Sequence, residues 1–258
     1  TITTGARDLA DNALASNHPW GFQTTPRNYT AWTDTGIVYT APTGSAYYPS
    51  ALYDASGFGV GDPAYAMWYS DGTGAAYRIT SPDGTTWGLP DLMNGLGGNV
   101  AHHVQVLYDA NCFGAIPCDA AAAKYRMWYW DITASLYSIS SMATATSVDG
   151  VNWADVTTLT QDVAAELVTG AGVGWNRGSY GPIFLFYSAD ASDAGSDPWS
   201  YRYVMYYDGT NGAQESTGLA YSSDGLFWHA YALNPVMPVG ESTAWDPNYS
   251  AYGTVFRD

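Results

Sequence analysis

Tyr125-Arg126-Met127-Trp128-Tyr129-Trp130-Asp131 is the stretch that decides the fold. It is a run of aromatic and apolar residues ending at an aspartate, the pattern of a buried strand that runs into a turn. The chain repeats it as Tyr65-Ala66-Met67-Trp68-Tyr69-Ser70-Asp71 and as Tyr203-Val204-Met205-Tyr206-Tyr207-Asp208. A second phrase follows each copy: Ser81-Pro82-Asp83-Gly84-Thr85-Thr86-Trp87, Ser147-Val148-Asp149-Gly150-Val151-Asn152-Trp153 and Ser222-Ser223-Asp224-Gly225-Leu226-Phe227-Trp228. A third precedes each copy, at Tyr48–Ala55, His103–Ala110 and Pro182–Ala189, and begins again at Tyr252–Asp258. Fixed strand phrases separated by loops of varying length are the signature of a β-repeat array.

The unit reads as strand, loop, aromatic strand, turn, strand ending in Ser-x-Asp-Gly, then a strand carrying Trp. Four antiparallel strands per unit predict a propeller blade and an all-β fold. The blades fall at 47–98, 99–178 and 179–250 of a single propeller domain, with the first strand of a fourth at 251–258. Residues 1–46 form an N-terminal arm followed by one or two strands within 28–40, and Asp162–Val168 is short enough to be a lone helical turn. Three blades and one extra strand leave an open edge. Closure is therefore expected from the N-terminal strands, from sequence absent here, or from a partner chain through self-assembly. Met127 and its equivalents are expected in the packing between sheets.

The chain carries 24 acidic residues against 8 Lys plus Arg, a net charge of -16. No cluster of cations exists to replace phosphate counterions, which excludes nucleic acid as a partner, and anionic membranes are disfavoured for the same reason. No run is apolar enough for membrane insertion, and no secretory leader or start methionine is present, so the chain reads as a mature, extracellular or cell-surface piece. A neutral ligand such as a glycan, or a metal cation, suits such a surface. Only Glu166, Glu215 and Glu241 are glutamates, and the predominance of aspartate fits a turn-rich β protein. Asp190, Asp193 and Asp197, spaced by Ser and Gly, are the candidate ligands for calcium, the one cofactor considered, although they lack the spacing of an EF-hand. Cys112 and Cys118 lie in one Gly-, Ala- and Pro-rich loop, either as a local disulfide or as free thiols. Asn28-Tyr29-Thr30 and Asn248-Tyr249-Ser250 match the glycosylation acceptor pattern.

The order of phrases resembles the five-bladed propellers of the arabinanase, levansucrase and invertase group of glycoside hydrolases. The residues that carry the likeness are the Met-Trp-Tyr strands at 67–69 and 127–129 and the Ser-x-Asp-Gly-x-x-Trp turns, followed by Asn234–Gly240, Ala244-Trp245-Asp246 and Val255–Asp258. The Ser-x-Asp-Gly-x-x-Trp phrase also looks like the Asp-box of sialidase propellers, which implies a structural role for its aspartate. The resemblance implies that catalytic carboxyls project from the early part of the innermost strands into a central funnel. The matching positions here are Tyr48, His103, Pro182 and Tyr252, preceded by Tyr47, His102, Gly181 and Ala251, and none is acidic. Asp246 and Glu241, just before the fourth inner strand, are the remaining acid candidates.

What lines the funnel mouth instead is Tyr47, Tyr48, His102, His103, Tyr180 and Tyr252. Aromatic faces pack on sugar rings, and imidazole and phenol bond sugar hydroxyls, so this set reads as a glycan-binding site or as the packed axis of the propeller. Alternation along a strand would send His102 and His103 to opposite faces, which argues against a two-histidine metal site. Three functions follow: a non-catalytic propeller module for glycan binding or cell-surface assembly, a furanosidase-like glycoside hydrolase, and a structural subunit of a surface fibre or layer.

Overall fold

The structure, a computed structural model, describes residues 36–42, 44–59, 61–96, 101–131, 141–161, 178–240 and 248–251. Contacts divide the chain at Gly36, and the second compact unit, Ile37–Asp258, holds nearly all of these residues. Its first sheet consists of β1 (Tyr47–Tyr53), β2 (Tyr65–Ser70), β3 (Ala76–Ser81) and β4 (Asp91–Leu92), hydrogen-bonded in that order. The second consists of β5 (Ala101–Tyr108), β6 (Tyr125–Asp131), β7 (Ser141–Ser147) and β8 (Trp153–Thr158). After β9 (Thr160–Gln161) comes the third, of β10 (Gly178–Tyr187), β11 (Tyr203–Thr210), β12 (Glu215–Ser222) and β13 (Phe227–Ala230). Every pairing within the sheets is antiparallel except that of β9, which joins the edge of β13 in parallel. The fold is all-β and propeller-like, with three four-stranded meanders. Among the described residues the only helical turns are two short 3-10 segments, Cys112–Gly114 and Pro198–Ser200. None of their helices is long and apolar enough to cross a membrane.

The aromatic phrase is the second strand of each sheet, and its alternation decides which neighbour each residue meets. Met127 and Tyr129 of β6 are buried against the first sheet, in a core that includes Ala66, Trp68, Val104 and Val106. Trp128 points the other way, into a core with Leu185, Met205, Tyr207 and Trp228 of the third sheet. The middle sheet is thus buried on both faces, which is why its strand reads as a continuous apolar run rather than an alternation. Met127 and Met205 lie between sheets as expected; Met67, in the outermost position, is half-buried beside Ala41, Tyr69 and Ile79.

The second phrase closes the seam. In each Ser-x-Asp-Gly turn the Ser hydroxyl accepts from the Gly amide, and one Asp oxygen accepts from two amides beyond it. The Trp of one sheet then reaches the turn of the next. Trp68 Nε1 donates to the Gly150 carbonyl at 2.8 Å, and Trp128 Nε1 donates to the Gly225 carbonyl at 2.9 Å. A buried indole N–H needs such an acceptor, so the two repeated phrases are complementary halves of one interface.

Three expectations change. Trp153 and Trp228 sit on fourth strands, but Trp87 precedes β4, because the chain is delayed by Gly88-Leu89-Pro90 before it pairs. Gly36–Thr40 is not a strand; Tyr39 of this segment instead shares a 2.9 Å hydrogen bond with the Tyr69 hydroxyl. The aspartate ending the aromatic phrase is a turn residue only in the first copy, where Asp71 accepts from the Thr73 amide. Asp131 closes β6 and Asp208 lies inside β11, both buried. The strand read at 252–258, the segment Asp162–Val168 and most of 28–40 lie outside the described residues.

Candidate functional site

β1, β5 and β10 are the first strands of the three sheets, and β5 touches both of the others, so these three line the axis. Each is broken near its start by a register shift: between Tyr47 and Ser50, between His102 and Gln105, and at Ser179/Gly181 with a second at Pro182/Phe184. Tyr48 and His103 have φ of 52° and 50°, and Gly181 has φ of 124°. For non-glycine residues this left-handed backbone costs on the order of 1–3 kcal/mol each and persists only where the surroundings enforce it. The consequence is re-aiming of side chains, which is what bulges near sites do.

The bulge at His103 overturns the expected alternation. His102 and His103 do not diverge. Their rings lie 6.2 Å apart, and both approach Trp130 edge-on, at 5.9 and 5.7 Å. His103 stacks on Tyr48 at 3.6 Å between centroids, and His102 lies 5.6 Å from the same phenol. Tyr47 is next to Tyr48 at 6.1 Å but largely exposed. Gly181 makes the close approach possible, because a Cβ there would sit 2.9 Å from the Trp130 Cβ and 3.1 Å from the His103 Cβ.

Behind this stack lies a cavity of about 490 Å³ walled by all three inner strands. Tyr48, His103, Gln105, Pro182, Phe184 and Asp208 are among its lining. The volume and the mixture of apolar wall with few polar groups are those of a small-ligand site. Asp208 is the only carboxyl among the described lining residues, and it comes from the second strand of the third sheet. Its residue is fully buried, and its Oδ2 is 3.9 Å from His103 Nδ1. Sequence reading places an aspartate at this point of the repeat in a turn, by the pattern Asp71 follows. The signal that separates it is length: β11 continues through Gly209 and Thr210.

Burial, reinforced by His102, pushes the His103 imidazole down to about 3, so it is neutral at physiological pH. Burial also lowers His102, against the opposing charge of Asp71. Burial, then Asp208, then Glu215 and Tyr47 raise the Tyr48 phenol. The site therefore offers a neutral donor-acceptor set beside a carboxyl.

The remaining candidates are dispersed. Tyr180 is on β10, with its side chain outside the described residues, as are Tyr252, Glu241 and Asp246. Asp193 bonds Arg202, with Nε 2.8 Å from its Oδ2 and the Arg202 amide 2.9 Å from its Oδ1. Asp197 caps the Pro198–Ser200 turn by accepting from the Trp199 amide, and Asp190 is exposed. Among the described residues no group of three or more His, Cys, Asp or Glu is placed to hold a metal ion. Cys112 and Cys118 form a disulfide across their loop.

No protein-family model matches the chain, and no curated protein is similar to it in sequence. Solved structures are. A complex of BT0996 with RGII matches with a TM-score of 0.50 at 15% identity, over 79% of this chain and 61% of that one. A glycoside hydrolase matches at 0.48 and 15%, over 78% and 62%. Zg3597, a family 117 glycoside hydrolase of the marine bacterium Zobellia galactanivorans, matches at 0.46 and 14%, over 76% and 58%. The chain thus spans 58–62% of the length of these structures. At 15% identity the likeness to the BT0996 complex is one of fold alone, and it does not single out the arabinanase group.

Proposed function

We propose that this chain is a non-catalytic glycan-binding propeller module that works outside the cell or on its surface. The observation that carries the reading is the axial cavity, with the Tyr48–His103 stack at its wall and neutral hydrogen-bonding groups around it. A sugar ring presents C–H faces to aromatics and hydroxyls to imidazole, amide and phenol, which is the inventory available here. The Cys112–Cys118 disulfide supports an oxidising compartment. Titration of soluble arabinan and galactan tests the reading by calorimetry. Wild type binds, Tyr48→Ala binds at least tenfold more weakly, and neither polymer is shortened. Absence of binding across neutral polysaccharides would remove the reading.

Asp208 favours a second reading, a glycoside hydrolase. Hydrolysis needs a second carboxyl across the sugar, with about 5–5.5 Å between carboxyls for retention or 6.5–9.5 Å for inversion of configuration. Glu241 and Asp246 are the acids that would supply it. Turnover of aryl glycosides by wild type that vanishes in Asp208→Asn would establish this second reading over the first.

A further inference from the structure

Glu215 is a glutamate in a chain that uses almost none, and it sits at the first position of β12. Its backbone is held on both sides: its amide donates to the Asn248 carbonyl and its carbonyl accepts from the Ser250 amide, each at 2.8 Å. Its register with β11 fixes where the side chain goes. Asp208 pairs with Thr217, and Glu215 lies two residues before Thr217. Residues two apart on a strand share a face, and so do directly paired residues across two strands. Glu215 therefore shares the face of Asp208, two residues along the ladder from it; Asp208 lines the axial cavity, and Glu215 is not itself among the lining residues. It is close enough to Tyr48 for its charge to help raise that phenol's pKa.

The residue is only 8% exposed, and its Oε2 is buried with no hydrogen-bond donor among the described residues. A carboxylate oxygen shielded from water and left without a donor is costly, and folds keep such groups where something outside the chain completes them. Stability alone would select an apolar residue or a glutamine at this position. The strained backbone at Tyr48 and His103 marks the same end of the sheets as one held for a purpose other than packing.

We infer that Glu215 is a ligand-binding carboxylate of the axial site, and that the group completing it is a sugar hydroxyl, which makes the site selective for neutral glycans over those bearing carboxylates or sulfates. The inference rests on the glycan-binding reading above and deepens it. A hydroxyl donor satisfies Oε2 directly, whereas an anionic substituent brings a like charge into a site shielded from water. The net charge of -16 acts in the same direction at longer range.

The test compares wild type with Glu215→Gln on galactan, arabinan and polygalacturonate by calorimetry, with thermal unfolding alongside. Wild type binds a neutral polymer and ignores polygalacturonate. Glu215→Gln keeps the shape, loses the charge-assisted bond and binds the neutral polymer about tenfold more weakly. It unfolds at the same temperature or a higher one, because an unpartnered buried charge is gone. Three results overturn the inference alone: equal binding of the neutral polymer by the variant, polygalacturonate bound by wild type as well as galactan, or a variant melting several degrees lower. The last would mean that the carboxylate has a structural partner. Failure of wild type to bind any neutral polymer removes the underlying reading, and the inference with it.

Discussion

At the seams between sheets, Trp68 and Trp128 occupy the same step of the repeat and make the same bond to the same glycine of the neighbouring turn. At the axis, Tyr48, His103 and Gly181 fall at matching bulges of β1, β5 and β10, and no two of them are alike. The seam residues are spaced by the repeat and satisfied within the chain. The axial ones carry left-handed backbone, and near them Glu215 Oε2 and both ring nitrogens of His102 lack partners among the described residues. A repeat keeps what every interface needs and is released at the axis, where each sheet contributes a different residue.

The comparison is broken most severely at the seam. Trp128→Ala removes a fully buried indole that packs on Tyr203 and Trp228, and among the described residues it leaves the Gly225 carbonyl with only the 3.2 Å bond from Trp228. Large-to-small changes of this kind cost about 3–5 kcal/mol, and denaturant unfolding should show a loss of that size. Tyr206 occupies the same step of the third copy and is half-buried, so Tyr206→Ala should cost less than half as much. Equal losses would mean that the seam is not what the repeat encodes.

The axis should show itself in acid, in a window the turns do not reach. The folded His103 pKa of about 3 lies well below the ordinary imidazole value near 6.5. From about pH 6.5 downward the unfolded chain takes a proton that the folded chain refuses, so stability falls as pH falls and rises again with pH. One such group gives at most about 1.4 kcal/mol per pH unit, or about 2–3 kcal/mol between pH 6.5 and 4.5. His102, lowered by burial, adds in the same direction. Asp149 and Asp224 are lowered in the fold because hydrogen bonds from their turns outweigh the effect of burial, so their stabilisation is lost only as pH falls below the ordinary carboxylate range. His103→Gln should therefore flatten the unfolding curve between pH 6.5 and 4.5 and leave the steeper loss below pH 4 in place. An unchanged slope in the upper window would place the titration elsewhere.

The same contrast explains what was legible in the sequence. The sheets were, because Met-Trp-Tyr and Ser-x-Asp-Gly each recur with their chemistry intact, and a buried indole and a turn carbonyl are mutually informative. Tyr48 and His103 lie on the first strands of their sheets, where the repeat puts them. Their mutual geometry was not legible, because alternation assumes a regular strand and the bulge at His103 brings both imidazoles to Trp130. Asp208 follows the turn pattern of Asp71 in sequence, sharing its place in the phrase but not its burial. Glu215 carried no motif at all. Its significance comes from a pairing with β11 that only the register shows.

The smallest expected effect is the most discriminating. Asp83 and Asp224 make the same turn, each accepting from two amides: Thr85 and Thr86 in the first, Leu226 and Phe227 in the second. Only the second is clasped by a neighbouring sheet, through Trp128 at Gly225 and through Arg126, which donates to the Asp224 carbonyl and lies over the Trp128 ring. Asp224→Ala loosens both the turn and the seam and should cost about 1–2 kcal/mol. Asp83→Ala loosens a turn that no indole from another sheet reaches among the described residues, so its loss should be measurably smaller. Asp83 also accepts from the Thr85 and Thr86 hydroxyls, two bonds that Asp224 lacks, so local hydrogen bonding alone would make Asp83→Ala the costlier change, and a larger loss at Asp224 reports what the clasp adds. If the two variants lost the same amount, the turn would be a local device and the indole bond a consequence of packing rather than part of what holds the sheets together.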